Sequence, residues 1–361
     1  MKVPQLDPNT VQDLRLGCGE PAGESGFNMA RVVAILAGMP DVPGVTVHRY
    51  CSSSLQTIRM AFHAIKAGEG DVFVAGGVET VSRYMYGMSD SGPHNEPFAQ
   101  AEARTAEQAK GATSWEPAPG LPDIYIAMGQ TAENVRLAEH IGRREMDEFA
   151  ALSQQRAVNS QQNGFFEREI TPITTPSGKV VTRDDGPRPD TTVEKLAELQ
   201  PVFRPNGEVT AGNSCPLNDG AAAVIVMSDS KARELGITPL ARIVSSGVSA
   251  LNPEIMGLGP VGASRQALAR AGMAINDIDL VEINEAFAAQ VIPSARYLDI
   301  PWDKLNVNGG AIALGHPFGM TGARIMTTLL NGLKTANKTF GLETMCVGGG
   351  QGMAMIVERL S

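Results

Sequence analysis

The sequence predicts an α/β protein made of two duplicated halves, and three observations carry that prediction. Short apolar runs rich in Val, Ile and Ala alternate with helical runs that stop at glycine, as strands buried on both faces by helices do. A β run, a small-residue turn, a helix and an apolar strand follow one another around Cys51, ending at 71–76, and again around His316, ending at 339–347. Between the halves the texture turns polar and rich in Pro and Gly from about 83 to 205, with too many helical stretches for a linker. The division is therefore 1–82 with 206–228 for the first half, 83–205 for the excursion and 229–361 for the second half.

The elements follow in order. Residues 11–17 alternate like a half-buried strand, 28–38 read as a helix with a glycine stop, and 44–47 form a short strand. The run from Leu55 to Ala67 has apolar residues at helical spacing, ends at Gly68 and leads into the strand 71–77. A helix is expected over 146–163. Strands are expected at 219–227, 241–249, 278–283, 305–307 and 339–347, alternating with helices over 264–271, 285–296 and 320–332.

Composition narrows the function classes. Of 361 residues, 43% are hydrophobic and 19% charged, which suits a soluble globular protein. The net charge of −9 argues against a general nucleic-acid or anionic-membrane surface. No apolar run reaches the ~18 residues that span a bilayer. Four widely spaced cysteines (Cys18, Cys51, Cys215, Cys346) in a chain read as cytoplasmic point to free thiols rather than disulfides, and no Cys/His cluster suggests a metal.

Three segments carry chemistry. In Tyr50-Cys51-Ser-Ser-Ser-Leu a thiol sits between a strand and a helix, where the positive helix end favours thiolate. In Gly309-Gly-Ala-Ile-Ala-Leu-Gly-His316-Pro a histidine is presented between Gly315 and Pro317, and imidazole is the proton acceptor a thiol needs near neutral pH. In Met345-Cys346-Val-Gly-Gly-Gly-Gln-Gly352 a second thiol enters a glycine run, and the amides of Gly348 to Gly350 are donors for an oxyanion. The working reading is a Cys51 nucleophile, a His316 base and a Cys346 acid. Asn284, in Asn-Glu-Ala-Phe287, suits the cap of a helix beginning near Glu285, and Phe287 reads as core or pocket wall.

These four blocks, in this order, resemble the signature motifs of the thiolases, the acetyl-CoA acetyltransferase and 3-ketoacyl-CoA thiolase group, and the similarity runs from about Val11 to the end. The resemblance implies a five-layered α/β/α/β/α fold with two duplicated halves and an inserted loop domain (83–205) that covers the active site and binds CoA. It implies reversible Claisen condensation and thiolytic cleavage of 3-ketoacyl-CoA through an acyl-cysteine, with acyl-CoA and CoA as substrates, no cofactor, and a homodimer or homotetramer. By the same resemblance the N–H groups of Gly348 and Cys51 form one oxyanion hole, and Asn284 holds a water that forms a second with His316. Met128, Arg188, Phe203, Ala211 and Cys215 map onto the pantetheine and adenine path.

Cys215 stands where many thiolases have serine, and Ala127 where some have histidine. The opening strand and helix usual in the family are missing; losing a central strand would leave buried edges unpaired, so the expectation is that further residues precede Met1, the alternative being compromised folding. Two rival readings are a condensing enzyme of the ketoacyl-synthase type, which would carry a second histidine or a glutamate in place of Cys346, and a non-catalytic CoA- or lipid-binding protein.

Overall fold

In a computed structural model, which describes residues 3–361, the chain forms two four-stranded sheets and one small hairpin. The first sheet collects β1 (Asp13–Gly17), β2 (Gly44–Val47), β3 (Val72–Thr80) and, after the hairpin strands β4 (Ile173–Thr174) and β5 (Val180–Val181), β6 (Asp219–Met227). Its order is β2-β1-β3-β6, parallel except for β6. The second sheet holds β7 (Ala241–Ala250), β8 (Leu280–Ile283), β9 (Phe340–Val347) and β10 (Gln351–Arg359), ordered β7-β10-β9-β8.

The helices are α1 (Met29–Leu36), α2 (Ser53–Ala67), α3 (Ala99–Gln108), α4 (Met128–Ala138), α5 (Arg143–Gln162), α6 (Val193–Ala197), α7 (Asp229–Glu234), α8 (Gly259–Ala271), α9 (Ala288–Tyr297), α10 (Ala311–Leu314) and α11 (Thr321–Thr335). Most begin and end where local chemistry requires. Asn28 accepts the Arg31 N–H as the cap of α1, and α2 and α8 stop at Gly68 and Gly272 in left-handed conformation.

Three apolar clusters define five layers. One joins α1 and the end of α7 to the outer face of the first sheet through Leu14, Leu16, Ala30, Ala34 and Leu235. The second is central, with Leu55 and Ile58 of α2 and Ile325 and Leu329 of α11 between Phe73 of one sheet and Met345 and Met355 of the other. The third packs α4, α5, α8 and α9 onto the far face of the second sheet, around Ile283, Leu342 and Ile356. Burial at this scale, ~25 cal/mol per Å² of apolar surface, is the main force holding the layers together.

Several sequence expectations shift. The helix expected from Glu285 begins only at Ala288, with Phe287 in extended conformation ahead of it, because Cys215 N–H donates to Ala286 C=O and Ala288 N–H to Asn213 C=O. Asn284 is therefore not its cap. The strand expected at 305–307 is reduced to one parallel bridge, Leu305 with Val281. Strand β10 was not anticipated, since its glycine-led, methionine-rich start lacks a strand signal. The outer edge of β6 pairs with no strand among the described residues, and exposed and half-buried positions alternate along it. Among the described residues no helix is long and apolar enough to cross a membrane.

Candidate active site

Cys51 lies in a 3₁₀ turn (Tyr50–Ser52) feeding straight into α2. Tyr50 takes φ of +40°, and the kink is held by Ser53, whose hydroxyl accepts from Arg49 N–H (2.9 Å) and donates to Tyr50 C=O (2.7 Å). The helix start is pressed onto β1. A Cβ on Gly17 would lie 2.5 Å from Ser54 N, so only glycine permits the approach. Cys51 is 8% exposed, and the backbone N–H groups of Gly348 and of Cys51 itself act to lower its pKa. Burial outweighs both, and with the nearby Glu79 charge it pushes the thiol up to about 12. The helix-dipole expectation of a resting thiolate is thus corrected: desolvation is the larger effect, and the resting group is a neutral thiol.

His316 is 1% exposed. Its Nδ1 lies 2.6 Å from Thr321 Oγ, whose own proton goes to Pro317 C=O at 2.9 Å. The hydroxyl therefore accepts from the imidazole, Nδ1 carries the hydrogen, and Nε2 is the basic nitrogen. Burial, then the positive charge of Arg324, lowers the pKa to about 3, so the ring rests neutral. The first turn of α11, just past His316, packs on the first turn of α2: Ala323 N–H donates to Ser54 Oγ at 2.9 Å. Contacts of this kind bring two segments 265 positions apart into one site.

Cys346 is fully buried at the end of β9, and Cys51 and Cys215 are the charge neighbours that, after burial, raise its pKa. Three of the four cysteines thus influence one another electrostatically, and all of them are free. Cys215 is brought there by the antiparallel bridge between Ser214 and Phe287, and its thiol is pushed to about 12, chiefly by burial. Asn284 donates its amide to His316 Nε2 at 3.2 Å, while its Oδ1 is buried without a partner and free to bind a further donor. The glycine turn between β9 and β10 has Gly349 and Gly350 at φ of +75°, and a Cβ on Gly350 would meet Leu251 C=O at 2.3 Å. Gly348 faces the Tyr50 ring, where a Cβ would sit at 3.3 Å.

The remaining candidates divide. Met128, Phe203 and Phe287 join one cluster, with Phe203 lying on Gly129 and its ring edge-on to Phe287 at 6.0 Å. Arg188 and Ala211 are exposed on loops, and no contact ties either to the cysteines.

Four supporting residues were not foreseen. Thr321 fixes the histidine tautomer. Glu79, 1% exposed, accepts from Gly19 N–H (2.6 Å) and Gly319 N–H (2.7 Å), tying β1 to the loop after His316. Glu285 accepts from Ser153 Oγ (2.6 Å), Asn306 Nδ2 (2.8 Å) and Ile312 N–H (3.1 Å). Gln290 Nε2 holds Asn284 C=O at 2.6 Å. A lone carboxylate inside the apolar strand around Glu79 was the one signal available.

A buried cysteine, a neutral histidine with a defined tautomer and a second buried thiol beside a glycine turn define an acyl-transfer class of site. Residues 1–230 match the family described as thiolase, N-terminal domain, and 237–359 match thiolase, C-terminal domain. The chain is 44% identical to the 3-oxoadipyl-CoA/3-oxo-5,6-dehydrosuberyl-CoA thiolase of Escherichia coli (strain K12) over 100% of its own length and 90% of that protein's. It is 44% identical to the 3-ketoacyl-CoA thiolase of Shewanella oneidensis with the same coverage. Among solved structures it resembles the Bacillus anthracis acetyl-CoA acetyltransferase, with TM-score 0.84 and 39% identity over 99% of this chain and 90% of that one. The chain belongs to the thiolase family, and it is an acyltransferase.

Proposed function

We propose that the protein catalyses reversible thiolysis and condensation of a 3-ketoacyl-CoA by a ping-pong route through acyl-Cys51. The observation that carries the reading is the packing of the helix start after Cys51 against the helix start after His316, with Cys51 and Cys215 near enough to Cys346 to raise its pKa. His316 Nε2 takes the Cys51 proton as sulfur attacks the thioester or ketone carbon, so both groups leave their neutral resting state together rather than as a preformed ion pair. The N–H groups of Gly348 and Cys51, whose influence on the Cys51 thiol supports the assignment, stabilise the oxyanion. In cleavage the C2–C3 bond breaks, the acyl group remains on Cys51 sulfur, and Cys346 donates its proton to C2 of the departing acetyl-CoA. CoA thiol then attacks the acyl carbon, its proton passing to the Cys346 thiolate, and as the Cys51–acyl bond breaks His316 returns the first proton to Cys51 sulfur, so both thiols and the neutral imidazole are regenerated. In condensation the steps reverse, and Cys346 removes the C2 proton. Asn284 holds the water that stabilises the second oxyanion with His316, a role its partnerless Oδ1 supports.

Met128, Phe203 and Phe287 form an apolar wall for the pantetheine arm, with Cys215 and Ala211 on the same path and Arg188 at the adenine end. Residues 83–205 act as the covering loop domain. The working form is a homodimer or homotetramer in the cytoplasm. A thiolysis assay with acetoacetyl-CoA, 3-ketohexanoyl-CoA and longer 3-ketoacyl-CoA esters tests the reading: CoA-dependent loss of the ketoacyl thioester supports it, and binding without turnover across the series overturns it.

A further inference from the structure

The seam where the first half of the chain meets the second carries a cluster of positive charge that the catalytic reading does not use. Arg59 of α2 donates from Nε to Ser246 Oγ (3.1 Å), and Arg270, in the last turn of α8, donates from Nη1 to the C=O of the same serine on β7 (2.6 Å). His63 stands four residues after Arg59, one turn further along the same face of α2. Arg59 is half-buried, while His63 and Arg270 are exposed. None of the three forms an ion pair among the described residues. The sequence explains why: 44–68, 241–253 and 255–276 contain neither aspartate nor glutamate, in a chain with 39 acidic residues against 30 Lys and Arg. Glu358, the acid of the neighbouring strand β10, is held by Arg242. Burial, then the charges of Arg49 and Arg270, lowers the pKa of Arg59, and burial, then Arg59 and Arg270, lowers that of His63.

Repulsion and side-chain entropy spread unpaired arginines apart, yet here one neutral residue anchors two of them. The anchor is rigid. A Cβ on Gly247, the residue after Ser246, would lie 2.1 Å from Ala263 C=O, so α8 is pressed directly onto β7. Both Nη groups of Arg59, and Nε and Nη2 of Arg270, have no partner among the described residues. We propose that Arg59, His63 and Arg270 bind a phosphate group, carried by inorganic phosphate or by a phosphate monoester. A tetrahedral dianion has enough oxygens to accept from two guanidinium groups and an imidazole together, which the two oxygens of a carboxylate do not. Bound there, it bridges α2 of the first half and α8 of the second, with Ser246 holding both arginines in place beforehand. None of the three residues belongs to the acyl-transfer machinery, so the site is tested without reference to turnover.

Calorimetric titration of the whole protein with inorganic phosphate, at an ionic strength held constant with chloride, should show one phosphate per chain. Arg270→Ala, at an exposed position, should keep the far-UV circular dichroism and weaken binding about tenfold or more, as should Arg59→Gln. Arg265→Ala, exposed on the same helix and outside the cluster, should leave binding unchanged. In proton NMR the His63 ring, identified by its loss in His63→Gln, should titrate at higher pH in phosphate than in chloride, because a bound dianion favours the imidazolium. Tighter binding of glycerol phosphate than of inorganic phosphate would assign the site to a monoester, and the reverse order to free phosphate. Binding that neither Arg270→Ala nor Arg59→Gln weakens would place the phosphate elsewhere on the protein. An unmoved His63 would separate it from this cluster, and no heat beyond that of the chloride control would leave only a solvated basic surface. Each of those three results overturns the proposal.

Discussion

Glu343 offers a test of the core electrostatics that does not depend on activity. It is fully buried on β9, both its carboxylate oxygens lack a hydrogen-bond partner, and the strand register sets it beside Glu282 of β8. Burial raises both acids, Glu282 to about 8 and Glu343 well above the usual carboxylate value, while Arg324 partly offsets the shift. A carboxyl group with a raised folded-state pKa binds its proton more tightly folded than unfolded. Its contribution is therefore present below the unfolded pKa near 4.5 and is lost as pH rises toward 8. For Glu282 alone that interval corresponds to at most roughly 5 kcal/mol, at 1.36 kcal/mol per unit. Glu343→Gln keeps the shape and removes one titration, relieving the neighbour's repulsion at high pH. For 361 residues the unfolding entropy is on the order of 0.8 kcal/mol per degree, so recovering about 2 kcal/mol raises Tm by roughly 2–3 °C. Thermal melts by circular dichroism should show the variant level with the parent at pH 5 and above it at pH 9. Parallel curves at every pH would refute the assignment of the alkaline loss to this pair.

Other consequences concern the site. In Cys346→Ser the nucleophile and the donors around it remain, so acylation by acetyl-CoA should survive while condensation and deuterium exchange into the acetyl methyl fall roughly 10²–10⁴-fold, as measured by stopped assay and NMR. Blocked acylation would remove Cys346 from the C2 proton step. Thr321→Val leaves the His316 Nδ1–H without its acceptor, and kcat should fall about tenfold or more with KM little changed, the cost of a buried unsatisfied donor being roughly 1–3 kcal/mol. An unchanged tautomer in ¹⁵N spectra would count against that role. Because Cys51 is pushed to about 12, its alkylation rate by iodoacetamide should climb steadily with pH from 6 to 9. A plateau above pH 7 would signal a resting thiolate.

Much of this site was legible as local pattern. The turn before α2, the glycine run after Cys346 and the helix stops at Gly68 and Gly272 depend on neighbours in the chain, so the sequence displays them. What escaped depends on distant contacts. Thr321 reads as an ordinary first-turn threonine until the fold brings His316 onto it. The extended stretch at Glu285–Phe287 exists only because Cys215 and Asn213 pair with it. The thiolate expectation for Cys51 failed for a related reason: a dipole is set by one helix, whereas desolvation is set by every layer packed around the sulfur. Glu282 and Glu343 lie 61 positions apart, and nothing in either strand marks them as neighbours.

The central claim is that Cys51, and not another of the cysteines, carries the acyl group. Mass spectrometry of the protein quenched in acid after brief exposure to acetyl-CoA measures this directly. The account predicts one acetyl group on the peptide containing Cys51, absent in Cys51→Ser and retained in Cys346→Ser. Acetyl label on Cys215 or Cys346 with Cys51 unmodified would contradict it.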